Sequence, residues 1–215
     1  MSLKLVIFDL DGTLIDSSAD IANAINYAIG PYRVKPVTVQ ETIGLLGEGI
    51  SRLMERIIDK EGIKADKDLL IERFLDYYST HLTDNTTVYP GVREVLAQMP
   101  ACRKAVISNK RESLSIKILE KLGLSAFFDM IAGSDTTEER KPSPVPVRHV
   151  LSMLGILPEE AVIVGDSNYD IEAGKAAGIK TVAVTYGYRS RDLLQGADFI
   201  INKMEELMKI LKKIG

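Results

Sequence analysis

The 215-residue sequence predicts an α/β protein with a doubly wound parallel sheet and a small helical insertion. From about residue 103 to the end, short apolar runs alternate with helical patterns, as is typical of parallel strands joined by crossover helices. The first apolar run, at residues 5–8, precedes the second by about ninety residues, far more than one crossover requires. The residues between these runs contain no convincing strand, which indicates an insertion.

The first strand is predicted at residues 5–8, because an unbroken apolar run suits a strand that is buried on both faces. It leads into an Asp-Leu-Asp-Gly-Thr motif at residues 9–13. Residues two apart in an extended chain point the same way, so the carboxylates of Asp9 and Asp11 crowd together where ionisation is resisted. Mg²⁺ relieves such a conflict, since it takes oxygen ligands and shares them with substrate phosphate.

The same motif is compatible with an ordinary turn after a strand, because Asp and Gly both favour turn geometry. Gly12 permits a sharp change of direction, and Thr13 adds a hydroxyl group. A calcium loop is disfavoured, since it needs a third oxygen ligand before the glycine and a glutamate at its twelfth position. Other motifs in the chain are therefore needed to distinguish a turn from a metal site.

The insertion is predicted to be helical. A capping box at residues 17–20 begins its first helix. Apolar residues follow at helical spacing: Ile21, Ala24, Ile25, Ala28 and Ile29. A second stripe contains Leu69, Leu70, Phe74, Leu75, Tyr78 and Leu82. Such stripes indicate a small bundle that packs on itself and needs no ligand.

Two domains are therefore predicted: a discontinuous catalytic core of residues 1–15 and 88–215, and a helical cap of residues 16–87. Because the cap begins just after the acidic motif, we interpret it as a lid over that site. Within it, Gly47 and Gly49 would let backbone amides at a helix start approach a substrate carboxylate. An ordinary loop and helix start is the alternative there.

The remaining elements follow in order. Five further strands are predicted at residues 104–108, 129–133, 161–165, 180–184 and 198–201. Helices are predicted at residues 112–122, 144–154 and 168–177, each followed by a glycine stop, with a tail helix at 204–214.

Chemically suitable groups follow three of these later segments. Ser108 and Asn109 offer hydrogen bonds to a phosphate oxygen, although both residue types are frequent in loops. Lys141 precedes a helix start and would neutralise the charge of a phosphoryl group or of the nucleophile, with a solvated lysine as the alternative. Asp166 would complete a carboxylate set for Mg²⁺, and Asp170 would hold either Lys141 or a metal-bound water. All these groups fall at strand ends of one sheet, so we expect them to converge.

Composition narrows the functional classes. The net charge of −3 without a basic block gives no electrostatic reason to expect nucleic acid or membrane partners. A single cysteine, Cys102, is compatible with a reducing cytoplasm, and the short first apolar run is neither a signal peptide nor a membrane span. Two histidines make a histidine-built zinc site improbable. We expect a cytoplasmic protein that is a monomer or small homo-oligomer.

Together the motifs at residues 9–13, 108–109, 141–142 and 165–170 resemble the four ordered motifs of the haloacid dehalogenase superfamily. The resemblance spans nearly the whole core and implies a Rossmann-like sheet with a helical cap inserted after the first strand. Within the superfamily the chain is most similar to the phosphoglycolate phosphatase group. That similarity is carried by residues 106–110, 141–144 and the cap segment 46–50.

The resemblance implies a Mg²⁺-dependent phosphatase that acts on a small phosphorylated metabolite. Asp9 would attack phosphorus to form an aspartyl phosphate, and Asp11 would act as general acid and then general base. The implied metal ligands are Asp9, the backbone carbonyl of Asp11 and Asp166, with Asp170 in support. Lys141 and Ser108 would offset phosphoryl charge. The expected substrate-binding residues are Gly12, Thr13, Ser108, Asn109, Lys141, Gly47 and Gly49.

Some subgroups of the superfamily that catalyse other reactions can be distinguished from this chain by single residues. Dehalogenases of the superfamily lack the second acid that Asp11 provides. The first cap helix, residues 17–29, contains neither the lysine of phosphonatases nor the histidine of sugar phosphomutases. A pyrophosphatase or a broad sugar phosphate phosphatase stays open. A non-catalytic phospho-aspartate signalling module is an alternative of another class, although such modules usually have no helical insertion.

Overall fold

Residues 3–99 and 101–215 are described by a computed structural model. The strands are β1 (Leu5–Phe8), β2 (Ile15–Asp16), β3 (Thr87–Val88), β4 (Arg103–Ile107), β5 (Met130–Ala132), β6 (Ala161–Gly165), β7 (Lys180–Val184) and β8 (Phe199–Ile201). The α-helices are α1 (Ser18–Ile29), α2 (Val39–Leu45), α3 (Gly49–Glu61), α4 (Lys67–Tyr78), α5 (Val92–Ala97), α6 (Glu112–Lys121), α7 (Val145–Leu154), α8 (Asn168–Ala177) and α9 (Leu207–Ile214).

The chain divides into two compact units. The core unit comprises Met1–Asp16 and Val88–Gly215, and the insert unit comprises Ser17–Thr87. The two short strands β2 and β3 pair with each other where the chain passes from one unit to the other.

A six-stranded parallel sheet forms the centre of the core unit, in the order β5-β4-β1-β6-β7-β8. The chain runs outward from β1 to β4 and β5, then returns to β6 and continues outward on the other side. This reversal confirms the predicted doubly wound sheet, and ligand sites in such sheets lie beyond the carboxyl ends of the strands at the reversal. Phe8 lies beside Val106 and Val164, so β1, β4 and β6 end at nearly the same level.

Apolar side chains on the two faces of the sheet are buried by the flanking helices. One face packs Ile7 of β1 and Ile163 of β6 against Val147 and Val150 of α7 and Ala173 of α8. The six strands lie within two residues of their predicted positions. The predicted tail helix differs more, because Met204–Glu206 forms a separate 3-10 turn before α9 begins.

In the insert unit, α1 packs against α2 and α4, and α3 packs against α4. The apolar stripe of α1 is buried as predicted, but Leu69 of the second stripe is 47% exposed. The predicted capping box is also wrong, since Ser17 makes no side-chain cap hydrogen bond at the start of α1. Asp20 instead accepts hydrogen bonds from Asn85 and Thr86, which joins the first helix to the segment that leaves the unit.

Candidate active site

The acidic motif begins where β1 ends. The backbone amide of Asp9 donates to the carbonyl oxygen of Val164 at 2.9 Å, which continues the pairing of β1 with β6 by one residue. Gly12 then turns the chain with a φ of 88°, a conformation that favours glycine. Its amide donates to Ile15 at 2.8 Å and closes the turn. The sheet and this turn together fix the backbone on both sides of Asp9.

Three buried aspartates meet beyond the ends of β1 and β6. Asp9, Asp166 and Asp170 each offer a carboxylate oxygen within 4.8 Å of the others. Asp9 and Asp166 directly follow the two strands, and Asp170 lies in the first turn of α8. Both the Ser167 amide and its hydroxyl donate to Asp170 Oδ2, at 3.1 and 2.6 Å, so the Asp170 carboxylate is held in one orientation.

Lys141 brings one positive charge into this acidic cluster. Its Nζ donates to Asp9 Oδ1 at 2.7 Å, to Asp170 Oδ1 at 2.6 Å and to the Ile107 carbonyl oxygen at 2.6 Å. The side chain is only 3% exposed. Lys141 is therefore buried and paired rather than solvated, and Asp170 adopts the first of its two predicted roles by holding it.

Burial strongly perturbs the ionisation of these groups. It raises the pKa of Asp9 to about 7, an effect that Lys141 opposes and Asp170 reinforces. Burial also raises the pKa of Asp166 well above its ordinary value, and the nearby carboxylates of Asp9 and Asp170 raise it further. For Lys141, burial lowers the pKa, but the attraction of Asp170 and Asp9 outweighs it and the net pKa is raised.

The cluster fits a hard divalent cation. The three buried carboxylates lie close together and Lys141 pairs with two of them, so full ionisation of the cluster would leave excess negative charge in a poorly solvated place. Burying such charge is costly unless it is neutralised. Mg²⁺ is bound in proteins by carboxylate and carbonyl oxygens and keeps room for water or phosphate. The donor set present here matches that preference.

Asp11 has a different cationic partner. Lys110 Nζ donates to Asp11 Oδ1 at 2.7 Å, and the two side chains are 8% and 19% exposed. Asp11 is more accessible than the buried Asp9, and its carboxylate is not among the three that could share a cation. The two aspartates of the motif thus have separate environments.

The two polar residues after β4 stabilise the local structure of the site. Ser108 Oγ accepts a hydrogen bond from the Lys110 amide at 3.1 Å, and Asn109 Nδ2 donates to the Lys141 carbonyl oxygen at 2.9 Å. Ser108 is 3% exposed. These contacts place Asn109 where it orients the backbone of Lys141.

The segment after β7 also contributes to the site, although no site residue was predicted there. The Tyr188 amide donates to Asp166 Oδ2 at 2.6 Å. At Gly187 a Cβ atom would overlap with Asp166 and with the Gly12 carbonyl oxygen, and at Gly12 it would overlap with the Asp166 carboxylate. Asp166 is therefore enclosed by two glycines and held by an amide. The sequence signal that could have identified the segment after β7 was its position directly after the predicted strand at residues 180–184.

Thr13 is fully buried next to the segment after β7. Its carbonyl oxygen accepts a hydrogen bond from the Tyr186 hydroxyl at 2.9 Å. Its own Oγ1 has no hydrogen-bond partner within residues 3–99 and 101–215. Burial raises the pKa of Tyr186, so this phenol stays protonated and continues to donate.

Gly47 and Gly49 belong to the insert unit, whereas every other predicted site residue belongs to the core unit. Both have positive φ angles, of 108° and 78°, and α3 begins at Gly49. Between them, Glu48 forms ion pairs with Arg52 and Arg56 of α3. The two glycines therefore support a tight turn into a helix.

Comparison with known proteins gives consistent matches. The Haloacid dehalogenase-like hydrolase family matches residues 6–184. A phosphoglycolate phosphatase of Chromobacterium violaceum is 42% identical over 98% of this chain and 97% of its own length. One of Aquifex aeolicus is 38% identical over 97% of both chains. A crystal structure of a predicted phosphoglycolate phosphatase from Haemophilus somnus superimposes with a TM-score of 0.92 at 29% identity, covering 98% of each chain.

Among the described residues, none of the helices combines enough length with enough apolar character to cross a bilayer.

Proposed function

The chain belongs to the haloacid dehalogenase-like hydrolases and is a phosphatase, and from this premise we propose that it hydrolyses a small phosphomonoester through an aspartyl phosphate on Asp9. The observation that carries the proposal is the environment of Asp9. Its carboxylate is buried at the end of β1, paired with Lys141 and close to Asp166 and Asp170. A carboxylate held this way is suited to attack phosphorus, because the surrounding groups can balance charge as phosphate arrives.

In the first step, an oxygen of the Asp9 carboxylate attacks phosphorus as the bond between phosphorus and the ester oxygen breaks. The electron pair of that bond goes to the leaving oxygen, which takes a proton from Asp11. The product alcohol departs and leaves a phosphoryl group on Asp9. Asp11 suits this role because it lies two residues from Asp9 and is partly exposed.

In the second step, a water molecule attacks the phosphorylated Asp9 at phosphorus, and Asp11 takes a proton from that water. The bond between Asp9 and phosphorus breaks, which releases phosphate and restores the carboxylate. The hard displacement is thereby divided into two easier ones.

Charge on the phosphoryl oxygens is balanced by Lys141 and by the Ser108 hydroxyl. A Mg²⁺ ion held by Asp9, the backbone carbonyl of Asp11 and Asp166, with Asp170 in support, would supply further neutralisation of that charge. The Tyr188 amide and the glycines at positions 12 and 187 keep Asp166 in its orientation.

We propose 2-phosphoglycolate as the substrate. The support comes from relatives named phosphoglycolate phosphatase, of which two are 42% and 38% identical over nearly their full lengths. A panel of phosphomonoesters and pyrophosphate, ranked by kcat/KM in the presence of Mg²⁺, tests this assignment. Phosphoglycolate is expected to rank first. A higher rank for sugar phosphates or pyrophosphate would refute the substrate and leave the reaction class intact.

Further parts of the proposal concern the insert unit and the cellular setting. We propose that the insert unit acts as a lid, supported by its point of insertion soon after the acidic motif. We also propose a cytoplasmic monomer or small homo-oligomer that has no nucleic acid or membrane partner. The single cysteine supports the location, and the net charge of −3 supports the choice of partners.

Asp9→Asn tests the assignment of the nucleophile. The variant is expected to fold normally but to lose about 10⁴-fold or more in kcat, because an amide does not attack phosphorus. Asp192→Asn is the matched control, since Asp192 is exposed on the same unit. Phosphate release and far-UV circular dichroism are measured on both variants. Normal turnover by a folded Asp9→Asn protein would refute the mechanism.

A further inference from the structure

We propose that Lys110 is a positioning residue for Asp11, which holds the Asp11 carboxylate where it transfers protons to and from the reacting oxygens. The inference rests on the proposed function and deepens it. The motif contains two aspartates, and each has its own lysine. Lys141 pairs with Asp9, and Lys110 pairs with Asp11 at 2.7 Å. The proposed mechanism already uses Lys141, whereas it gives Lys110 no role.

The backbone of Lys110 is fixed from both sides. Its amide donates to Ser108 Oγ at 3.1 Å, and its carbonyl oxygen accepts from the Ser134 amide at 2.9 Å. Because β4 lies directly beside β1, the turn after β4 is next to the turn that carries Asp11. The neighbouring strands β1 and β4 and the hydrogen-bonded turn after β4 therefore set the position of the Lys110 side chain.

The Lys110–Asp11 ion pair is also largely shielded from water. The Lys110 side chain is 8% exposed and that of Asp11 is 19% exposed. Ion pairs on open surfaces are weakly ordered, whereas shielded charge-assisted hydrogen bonds are shorter and more directional. The pair consequently limits the orientations available to the Asp11 carboxylate.

Orientation matters because proton transfer needs hydrogen-bond contact with the reacting oxygen. A misplacement of about 1 Å costs on the order of 10²-fold in rate. As the ester bond breaks, its electron pair goes to the leaving oxygen and the Asp11 proton goes to that oxygen. Asp11 Oδ1 accepts the Lys110 hydrogen bond both in the carboxyl group, whose proton is on the other oxygen, and in the carboxylate that remains after transfer. Lys110 keeps its own protons throughout, so it acts through Asp11 and not as an acid itself.

Leaving-group dependence separates this role from a structural one. An alkyl phosphate such as 2-phosphoglycolate releases an alkoxide that needs a proton, whereas p-nitrophenyl phosphate releases a stable phenolate that does not. The ratio kcat/KM reports the steps up to cleavage of the ester bond. Lys110→Met keeps the length of the side chain and removes the charge. We expect it to lower kcat/KM by roughly 10- to 100-fold for phosphoglycolate and by less than about threefold for p-nitrophenyl phosphate.

Lys117→Met is the matched control, because Lys117 is exposed on α6 of the same unit, and it is expected to leave both substrates unaffected. Equal losses on both substrates with Lys110→Met would overturn the proposal, since they would indicate contact with the phosphoryl group or a damaged fold. Unchanged kcat/KM for phosphoglycolate would overturn it as well. Lys110→Gln provides the same comparison if the methionine variant does not fold.

A double-mutant cycle with Asp11→Asn completes the test. If Lys110 acts through Asp11, Lys110→Met has no further effect on phosphoglycolate hydrolysis once Asp11 is replaced. A full additional loss in that background would contradict the inference. Failure of the underlying mechanism is recognised separately. Asp11→Asn with normal phosphoglycolate activity would refute the acid and base role of Asp11 itself, whereas a large Asp11→Asn effect with no Lys110→Met effect refutes only the role of Lys110.

Discussion

Gly187→Ala is expected to impair the site although it replaces no residue that we assign to chemistry. A Cβ atom at Gly187 would lie 2.6 Å from Asp166 Oδ2 and closer still to the Asp166 Cβ and the Gly12 carbonyl oxygen, whereas ordinary contact begins at 3.4 Å. The neighbours include backbone and the first atoms of a buried side chain, so they cannot simply rotate away. Asp166 must therefore move by about 1 Å, which costs on the order of 10²-fold in rate.

Two further effects accompany that movement. Weaker support of a metal ligand typically lowers metal affinity by about 10- to 100-fold, so the Mg²⁺ concentration for half-maximal activity should rise by that factor. Overpacking a buried site also lowers the free energy of unfolding by about 1–3 kcal/mol. The assay is kcat/KM for phosphoglycolate across a Mg²⁺ titration, with urea denaturation of the same samples.

Gly196→Ala is the matched control in the same unit, because its Cβ would meet Ile171 at the ordinary contact distance of 3.4 Å and no closer atom of the described residues. It should retain normal activity and normal Mg²⁺ dependence. A Gly187→Ala enzyme with the wild-type kcat/KM and Mg²⁺ dependence would refute the reasoning that Gly187 keeps Asp166 in place.

Two other predictions concern buried charges. Lys141→Met leaves the carboxylates of Asp9 and Asp170 without their ammonium. Urea denaturation should therefore show that the free energy of unfolding falls by about 3–5 kcal/mol, and phosphatase activity should be lost. An unchanged denaturation midpoint would contradict the buried pairing. In the insert unit, burial raises the pKa of Asp20, but hydrogen bonds from Asn85 and Thr86 outweigh it and the net pKa is lowered. Asp20→Asn should therefore lower the free energy of unfolding of the insert unit by about 2–4 kcal/mol at neutral pH, as measured by hydrogen exchange. The lowered pKa stabilises the folded unit at pH values above the ordinary aspartate pKa of about 4. This stabilisation is lost as the pH falls through the lowered value, so the difference in stability between Asp20→Asn and wild type should shrink below about pH 4. A pH-independent difference would contradict this account.

The sequence was most informative where one local rule decided the structure. The apolar run of β1 predicted a buried strand, and the residues after β1, β4 and β6 were predicted to converge because parallel strands end at one edge. Gly12 was predicted to turn the chain, and its positive φ angle confirms this. The apolar run and the turn depend on patterns within a few residues, and the convergence requires only that the strands run parallel in one sheet.

Other contacts depend on which loops become neighbours, and local patterns do not specify that. Lys110 was visible in the sequence, but its pairing with Asp11 follows from the adjacency of β1 and β4. The Tyr188 amide reaches Asp166 because β7 lies beside β6 in the sheet, which brings the residues after the two strands together. Asp20 was assigned to a helix cap, yet partners more than sixty residues away bind its carboxylate more completely than a local cap would.

Phosphorylation of Asp9 is the central claim, and rapid quenching in acid tests it directly. The enzyme is mixed with excess phosphoglycolate and Mg²⁺, quenched during turnover, digested and analysed by mass spectrometry. The account predicts one added phosphoryl group on the peptide that contains Asp9, released by mild base and absent from Asp9→Asn. Rapid turnover without any phosphorylated peptide, combined with inversion of configuration at a chiral phosphorus centre, would contradict it, because inversion indicates direct attack by water.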